Sequence, residues 1–141
     1  MQRPNIASFL GTHVILDIWS EDHSLYKSSE LMSNMLEEAA KKTGATVLSK
    51  DFHEFGEDSG ITGVLVLAES HISVHAFPEE NYAAFDIFVC YQCDPRKAID
   101  HIVEATKAYR HETNIIYRGL TIQKTDNQYP DFLQEAADRG L

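Results

Sequence analysis

Residues 65–90 read LVLAESHISVHAFPEENYAAFDIFVC, and their pattern is typical of two strands joined by a tight turn. The first half alternates with a period of two, as a strand does when its two faces meet different surroundings. The more polar side carries Glu69, His71, Ser73, His75 and Phe77, and the other carries Ser70, Ile72, Val74 and Ala76. Pro78 ends this run, and 82–89 returns as an aromatic and β-branched strand that ends at Cys90. The segment therefore predicts a β-hairpin with one polar face.

Side chains that can do chemistry are concentrated in this hairpin. They are Glu69, Ser70, His71, His75, Glu79 and Cys90. Because the second strand of a hairpin runs back along the first, we expect Cys90 to return toward Ser70. A half-buried hairpin with polar side chains on its solvent-exposed face would show the same alternation, so the pattern by itself leaves a purely structural role open.

The flanking sequence alternates between helix and strand patterns. The predicted elements are strands at 13–19, 45–52, 63–67 and 113–117, and helices at 24–43 and 95–109. Gly44 closes the first helix, and Asp94 and Pro95 are typical of the start of the second. Two helices against one mostly antiparallel sheet predict an α+β fold, a two-layer α/β sandwich with helices on one face. A further short helix is predicted at 132–137.

Composition narrows the class of protein. A chain of 141 residues with 43% hydrophobic residues can form one core, so we expect a single domain. The net charge of -10 argues against binding to nucleic acid or to anionic membrane surfaces. No apolar run approaches the roughly 18 residues of a membrane span, and no secretory signal pattern is present. The expected location is therefore the cytoplasm.

The hairpin and the residues before it resemble the short, prokaryotic type of S-adenosylmethionine decarboxylase, a pyruvoyl enzyme that cuts its own chain at a Glu-Ser bond. The residues that carry the resemblance are Gly60-Ile61-Thr62-Gly63, Ala68-Glu69-Ser70-His71, His75, Pro78-Glu79, Tyr82-Ala83-Ala84, Asp86, Phe88 and Cys90. Weaker similarity runs from Gly11-Thr12-His13 to about Leu120. The resemblance implies one domain over 1–120. Residues 121–141 lie outside the resemblance and are interpreted as a C-terminal extension of the same domain, with an open role.

The resemblance implies self-cleavage between Glu69 and Ser70 into a 1–69 chain and a 70–141 chain. The Ser70 hydroxyl would attack the Glu69 carbonyl to give an ester, and removal of the Ser70 α-proton would then lead by β-elimination and hydrolysis to a pyruvoyl group. His75 matches the processing base of the family, and an imidazole with a reference pKa of about 6.5 suits that task. Thr62 stands where the family commonly carries a serine that assists processing.

The same resemblance implies roles in turnover. The pyruvoyl group derived from Ser70 would form a Schiff base with the substrate, so neither a metal nor pyridoxal phosphate is expected. Cys90 matches the proton donor of the family, and a thiol with a reference pKa of about 8.5, mostly protonated at neutral pH, suits that role. Glu79 matches a carboxylate that binds ribose hydroxyls, and Phe55 matches a phenylalanine that stacks on adenine. Phe77 replaces a tryptophan in the same pocket.

Departures from the family pattern lie around that pocket. Residues 77–84 read FPEENYAA where the family typically has Trp-Pro-Glu-Tyr-Gly-Tyr-Ala-Ala, and Tyr91 replaces the usual glycine after Cys90. The resemblance implies S-adenosylmethionine as substrate, a role in polyamine (spermidine) biosynthesis, and a homodimer of processed two-chain protomers. Two alternatives stay open: the same pyruvoyl chemistry on arginine or ornithine, and an unprocessed, non-catalytic homologue that acts as a binding or regulatory module.

Cys90 and Cys93 form a Cys-Tyr-Gln-Cys motif, which also occurs in redox and zinc sites. A redox motif of this kind usually opens a helix, and a helix is predicted from Pro95. A structural zinc site would need two further ligands, and the chain has no second cysteine pair. The role of Cys93 therefore stays open.

Overall fold

The structure is a computed structural model, and it describes residues 6–122. Within that range it contains eight strands, two helices and one 3₁₀ turn at Pro78–Glu80. The strands are β1 (Ile6–Ser8), β2 (Gly11–Trp19), β3 (Val47–Glu54), β4 (Ile61–Leu67), β5 (Ser70–Phe77), β6 (Tyr82–Cys90), β7 (Arg110–Arg118) and β8 (Thr121–Ile122). The helices are α1 (Ser29–Lys42) and α2 (Pro95–Ala105).

Six strands form one sheet in the order β3-β4-β5-β6-β2-β7, and β1 pairs with β8 in a separate two-stranded ribbon. All the pairings in the sheet are antiparallel. Both helices pack on one face of the sheet and against each other. The predicted two-layer α/β sandwich is confirmed, and so is the hairpin of β5 and β6.

The hydrophobic core lies between the helices and one face of the sheet. Alternate residues of the central strands point into it: Val14, Leu16, Ile18, Leu65, Ile72, Val74, Phe85, Ile87 and Val89. Each fully buried large apolar side chain of this kind contributes roughly 1.5–3 kcal/mol. The residues between them point to the other face, which no described helix covers, and we call this the open face.

On the open face, residues of neighbouring strands line up in rows across the sheet. One row consists of Val66, His71, Phe88, His13 and Ile116. A parallel row nearer the other end of β5 consists of Thr62, His75, Ala84, Asp17 and Glu112. His71, Ser73, His75 and Phe77 thus share the open face, as the alternation predicts. Glu69 does not join them, because it lies in the turn before β5.

The first helix begins at Ser29, not at residue 24. Asp22 accepts hydrogen bonds from the backbone N–H (3.0 Å) and the hydroxyl (2.7 Å) of Ser24, which closes a local turn instead of a helix. Ser28 is the N-cap, and its hydroxyl accepts a hydrogen bond from the Leu31 N–H at 3.1 Å. The prediction at 24–43 was therefore wrong by its first turn.

The second helix starts as predicted, with Asp94 as N-cap and Pro95 in its first turn, but it ends at Ala105 rather than at residue 109. Lys107 has a φ of 53°, and this left-handed residue ends the helix. Tyr109 then donates its N–H to the Trp19 carbonyl at 3.0 Å as the chain enters β7.

Several strand ends also differ from prediction. β2 and β4 start two residues earlier than expected, β3 is shifted to Val47–Glu54, and β7 is longer at both ends. The short β1 and β8 were not predicted. Among residues 6–122, no helix is long and apolar enough to cross a membrane. The cytoplasmic location stays a prediction, and the helix predicted at 132–137 lies outside the described residues.

Candidate functional site

The turn between β4 and β5 holds the predicted cleavage point in a strained conformation. Leu67 pairs with Ser70, so only Ala68 and Glu69 form the turn. In tight hairpins a residue with positive φ is usually glycine, asparagine or aspartate. Here Ser70 has a φ of 139°, a region that non-glycine residues occupy at a cost on the order of 1–3 kcal/mol. The strain lies directly after the Glu69–Ser70 bond.

Contacts from two other segments hold this turn in place. The Thr46 N–H donates to both carboxylate oxygens of Glu69, at 2.9 and 3.1 Å. The Ala68 N–H donates to the Thr46 carbonyl at 2.9 Å, and the Cys90 N–H donates to the Glu69 carbonyl at 3.0 Å. The last bond polarises the carbonyl that the Ser70 hydroxyl would attack, because a backbone donor stabilises negative charge on that oxygen.

The strain at Ser70 gives a stability prediction. We expect Ser70→Gly to unfold at higher urea concentration than Ser70→Ala, with a free energy of unfolding about 1 kcal/mol greater. Relief of the positive-φ strain, about 1–3 kcal/mol, exceeds the roughly 0.4–1 kcal/mol that glycine loses through a freer unfolded chain. Both variants lack the Ser70 hydroxyl that self-cleavage would need, so the comparison is between two uncleaved chains.

Ser73, in the regular part of β5, provides the matched pair for this comparison. There φ is not positive, so Ser73→Ala should be more stable than Ser73→Gly. The same order at both positions would contradict the strain at Ser70.

The side chains around the turn form a cluster that we call the cleavage end, consisting of Glu69, Ser70, His71 and Cys90. Ser70 pairs with Val89, so Cys90 lies beside Ser70 as the hairpin predicts. The Ser70 Oγ lies 3.2 Å from Nδ1 of His71. His71 had no predicted role of its own, although its position next to Ser70 in the Glu-Ser-His motif was the available signal.

The other predicted site residues form a second cluster at the far end of β5. This pocket end consists of Phe55, Thr62, His75, Phe77 and Glu79. Thr62 Oγ1 and His75 Nδ1 are 2.5 Å apart, within hydrogen-bond distance. The His75 ring lies 4.5 Å from the Phe77 ring and 6.3 Å from the Phe55 ring, measured between centroids. The structure thus brings the predicted processing base together with the predicted substrate-binding residues.

An open cavity of about 420 Å³ lies at the pocket end. It is lined by Phe55, Asp58, Ser59, Gly60, His75, Ala76, Phe77 and Glu79. Gly60 packs directly against the backbone of Ala76 in the wall of this cavity. A Cβ at residue 60 would lie 1.8 Å from the Ala76 carbonyl oxygen, so the close approach requires glycine. Asn81 closes the turn after Glu79 with a φ of 56°, in the left-handed conformation that asparagine tolerates. The Phe55 ring is 54% exposed and faces solvent in a single protomer.

The two clusters are well separated in one protomer. Ser70 and His75 are five residues apart on the same strand, which at about 3.3 Å per residue places them roughly 16 Å from each other. The His75 of a chain therefore does not reach the Ser70 of the same chain. Of the predicted catalytic and processing residues, the structure brings Glu69, Ser70 and Cys90 together at one end, and Thr62 and His75 at the other.

Further polar side chains on the open face form hydrogen bonds with one another, and none of them has a predicted role of its own. His13 Nε2 is 3.0 Å from Asp86, and the Ser73 hydroxyl donates to the same carboxylate at 3.4 Å. The Tyr82 hydroxyl donates to Asp17 at 2.5 Å, and burial together with this bond raises the pKa of Tyr82 to about 12. The contacts of Asp86 fix the middle of the open face, and the Tyr82–Asp17 bond lies at the level of the pocket end.

Cys93 differs from Cys90 in its surroundings. Cys93 is 7% exposed and packs in the core, and burial, with Glu69 and Cys90 nearby, raises the pKa of its thiol. Its N–H donates to the Cys90 carbonyl at 3.0 Å, which makes a turn before α2. Over residues 6–122, no three His, Cys, Asp or Glu side chains are placed to hold a metal ion. The role of Cys93 stays open.

Comparison with solved structures gives the class of protein that has this fold. The crystal structure of the adenosylmethionine decarboxylase from Aquifex aeolicus superposes on the chain with a TM-score of 0.72 and 31% sequence identity. The match covers 86% of this chain and 99% of that one. The sheet and its two helices are thus those of a small α+β decarboxylase.

Sequence comparison then identifies the family. The family model for S-adenosylmethionine decarboxylase matches residues 12–119, and the chain belongs to this family. The S-adenosylmethionine decarboxylase proenzyme of Anoxybacillus flavithermus is 37% identical over 111 residues, which are 79% of this chain and 89% of that one. The proenzyme of the same name from Thermodesulfovibrio yellowstonii is 42% identical over 97 residues, which are 68% of this chain and 71% of that one. The resemblance seen in the sequence is confirmed.

Proposed function

We propose that the chain is a self-processing, pyruvoyl-dependent S-adenosylmethionine decarboxylase that supplies the aminopropyl donor for spermidine biosynthesis. The observation that carries this proposal is the strained Glu69–Ser70 turn, whose carbonyl accepts a hydrogen bond from the Cys90 N–H. The relatives described above are named as S-adenosylmethionine decarboxylase proenzymes, which supports the same substrate. No observation favours arginine, ornithine or a non-catalytic role.

The turn geometry suits the first step of self-cleavage. The Ser70 Oγ forms a bond to the Glu69 carbonyl carbon, and the C–N bond between the two residues breaks, so that an ester and a free amino group replace the amide. The Cys90 N–H stabilises the negative charge that develops on the Glu69 oxygen. Opening the peptide also releases the strain held at the φ of Ser70.

The next step removes the α-proton of residue 70. Elimination then releases the 1–69 chain as a carboxylate, and hydrolysis of the resulting dehydroalanine gives ammonia and the pyruvoyl group at the start of the 70–141 chain. His75, held by the Thr62 hydroxyl at 2.5 Å, is the base that we assign to this proton. Thr62 orients the ring, as the serine at this place in the family would.

The cleavage end also suits the pyruvoyl group and turnover. The group supplies a carbonyl that takes up the electron pair released with carbon dioxide. Ser70 begins β5 beside the end of β6, so Cys90 adjoins the position of that carbonyl. Cys90 is half-buried, and we assign to its thiol the proton that the substrate α-carbon receives after decarboxylation.

The pocket end suits the nucleoside part of the substrate. Phe55 and Phe77 offer flat rings for stacking on adenine, and the exposed Glu79 carboxylate can accept hydrogen bonds from ribose hydroxyls. The net charge of -10 favours a cationic sulfonium substrate. Phe77 in place of the family tryptophan leaves a smaller ring on one side of the cavity.

A homodimer would join the two ends. Ser70 and His75 lie roughly 16 Å apart on β5, so a complete processing site needs the cleavage end of one protomer and the pocket end of its partner. A two-fold axis through paired open faces would form two such sites, because a symmetric interface repeats each contact. The exposed Ile15, Val66 and Ile116 on the open face give this interface an apolar component. We infer a homodimer of processed two-chain protomers.

Replacement of Cys90 should separate processing from turnover. We expect Cys90→Ala to cleave at Glu69–Ser70 as the unaltered chain does, because alanine keeps the backbone N–H that holds the Glu69 carbonyl. Decarboxylation should fall about 10²- to 10⁴-fold, since a general acid is lost. The measurements are the ratio of cleaved to intact chain on a denaturing gel and the release of carbon dioxide from S-adenosylmethionine. Cys93→Ala is the control, and undiminished turnover in Cys90→Ala would contradict the assignment.

The proposed function is tested by the intact mass of the purified protein before and after treatment with phenylhydrazine, which reacts with ketones. We expect two fragments that meet between residues 69 and 70, the second one gaining a hydrazone. Decarboxylation of S-adenosylmethionine, arginine and ornithine is then compared, with S-adenosylmethionine expected to react. A single chain without a hydrazone would favour the non-catalytic alternative instead.

A further inference from the structure

We propose that His71 is the general base of the first step of self-cleavage, taking the Ser70 hydroxyl proton as Oγ attacks the Glu69 carbonyl. This inference rests on the proposed self-processing, and it assigns the two steps of that process to two different histidines. His71 acts within its own chain on the hydroxyl, and His75 acts from the partner protomer on the α-proton.

The position of the His71 ring supports this assignment. Its Nδ1 lies 3.2 Å from the Ser70 Oγ, at hydrogen-bond distance from the atom that must lose a proton. The ring packs edge-on against Phe88, with centroids 5.8 Å apart and planes at 69°. Because His71 and Phe88 are also direct partners in the pairing of β5 with β6, backbone and ring are both held.

Other imidazoles on the open face are less well placed. His75 is roughly 16 Å along β5 from Ser70. His13 bonds to the carboxylate of Asp86 at 3.0 Å. In the part of the chain that the structure describes, His71 is thus the histidine whose ring nitrogen contacts the Ser70 hydroxyl.

The proton balance of the first step needs a group that works as base and then as acid. Nδ1 of His71 takes the proton from Oγ while the bond from Oγ to the Glu69 carbonyl carbon forms. The imidazolium then returns a proton to the nitrogen of residue 70 as its bond to that carbon breaks. The ring ends neutral, and the products are the ester and a free amine, with no other reactant. His71 touches the reacting oxygen and is a catalytic residue of this step.

The test compares His71→Ala with His75→Ala in the full-length chain. Hydroxylamine cleaves esters, so a chain halted after the first step is cut by it between residues 69 and 70 and gains a hydroxamate on Glu69. We expect His75→Ala to halt there and to be cut. His71→Ala should halt before the ester, resist hydroxylamine, and cleave itself about 10²- to 10⁴-fold more slowly than the unaltered chain.

Two further measurements separate a catalytic role from a structural one. His71→Gln keeps a polar side chain without the imidazole and should be as slow as His71→Ala. Added imidazole should restore cleavage to His71→Ala but not to His71→Gln, whose side chain occupies the space of the ring. Cleavage of His71→Ala at the unaltered rate, or its sensitivity to hydroxylamine equal to that of His75→Ala, would overturn the inference. If the unaltered chain itself stays intact, the proposed function fails instead.

Discussion

Ser70→Ala is expected to remain a single chain of 141 residues and to have no decarboxylase activity. The substitution removes the only atom of residue 70 that can attack the Glu69 carbonyl, so neither the ester nor the pyruvoyl group can form. The turn should persist, because the contacts of Thr46 and Cys90 with Glu69 do not involve the hydroxyl. Intact mass and release of carbon dioxide from S-adenosylmethionine measure the two effects.

Ser73→Ala is the matched control for this variant. It also removes a hydroxyl from β5, one that donates to Asp86 at 3.4 Å, but it leaves the cleavage end unchanged. We expect it to cleave normally. Normal cleavage of Ser70→Ala would rule out the pyruvoyl proposal, and so would an intact Ser70→Ala chain with full activity.

The sheet was predictable where the period of the sequence was regular. Ile72, Val74 and Ala76 alternate with His71, Ser73 and His75, and these two sets occupy opposite faces of β5. A strand with one face in the core must show this pattern, so its orientation follows from the sequence. The start of α2 was equally clear, because Asp94 and Pro95 supply a cap and a fixed φ.

The ends of elements depended on contacts that a periodic pattern does not contain. Leu25 and Tyr26 continue the apolar spacing of α1, yet the hydrogen bonds of Asp22 to Ser24 close a turn there. The side chain of Tyr26 is fully buried, but the residue belongs to the segment before α1 and not to the helix. The pairing of β1 with β8 joins segments far apart in the chain, and their short lengths give no readable period.

The candidate site was predicted as a set of residues and not as an arrangement. The Glu-Ser-His motif predicted the chemistry that we propose, but the φ of 139° at Ser70 depends on how the hairpin turn closes. The hydrogen bond from the Cys90 N–H to the Glu69 carbonyl depends on strand register. The separation of Ser70 from His75, in contrast, was readable, since five residues on a predicted strand span roughly 16 Å.

That separation leads to the prediction that two inactive chains restore cleavage to each other. Ser70→Ala lacks the proposed nucleophile but keeps His75, and His75→Ala lacks the proposed base but keeps Ser70. When both are produced together with tags of different mass, mixed dimers should contain one complete site. About half of the His75→Ala chains should then be cut between residues 69 and 70 if the chains pair at random. The Ser70→Ala chains should stay intact. Intact mass identifies which chain was cut.

The partner carrying both substitutions, Ser70→Ala and His75→Ala, is the control, because it pairs in the same way but offers no imidazole at residue 75. It should restore nothing. Cleavage of the His75→Ala chain with this partner would mean that another group removes the α-proton. If neither partner restores cleavage while the unaltered chain processes itself, the pairing of cleavage end with pocket end is wrong. If the Ser70→Ala partner restores cleavage and the doubly substituted partner does not, each β5 strand contributes to two sites, with its Ser70 in one and its His75 in the other.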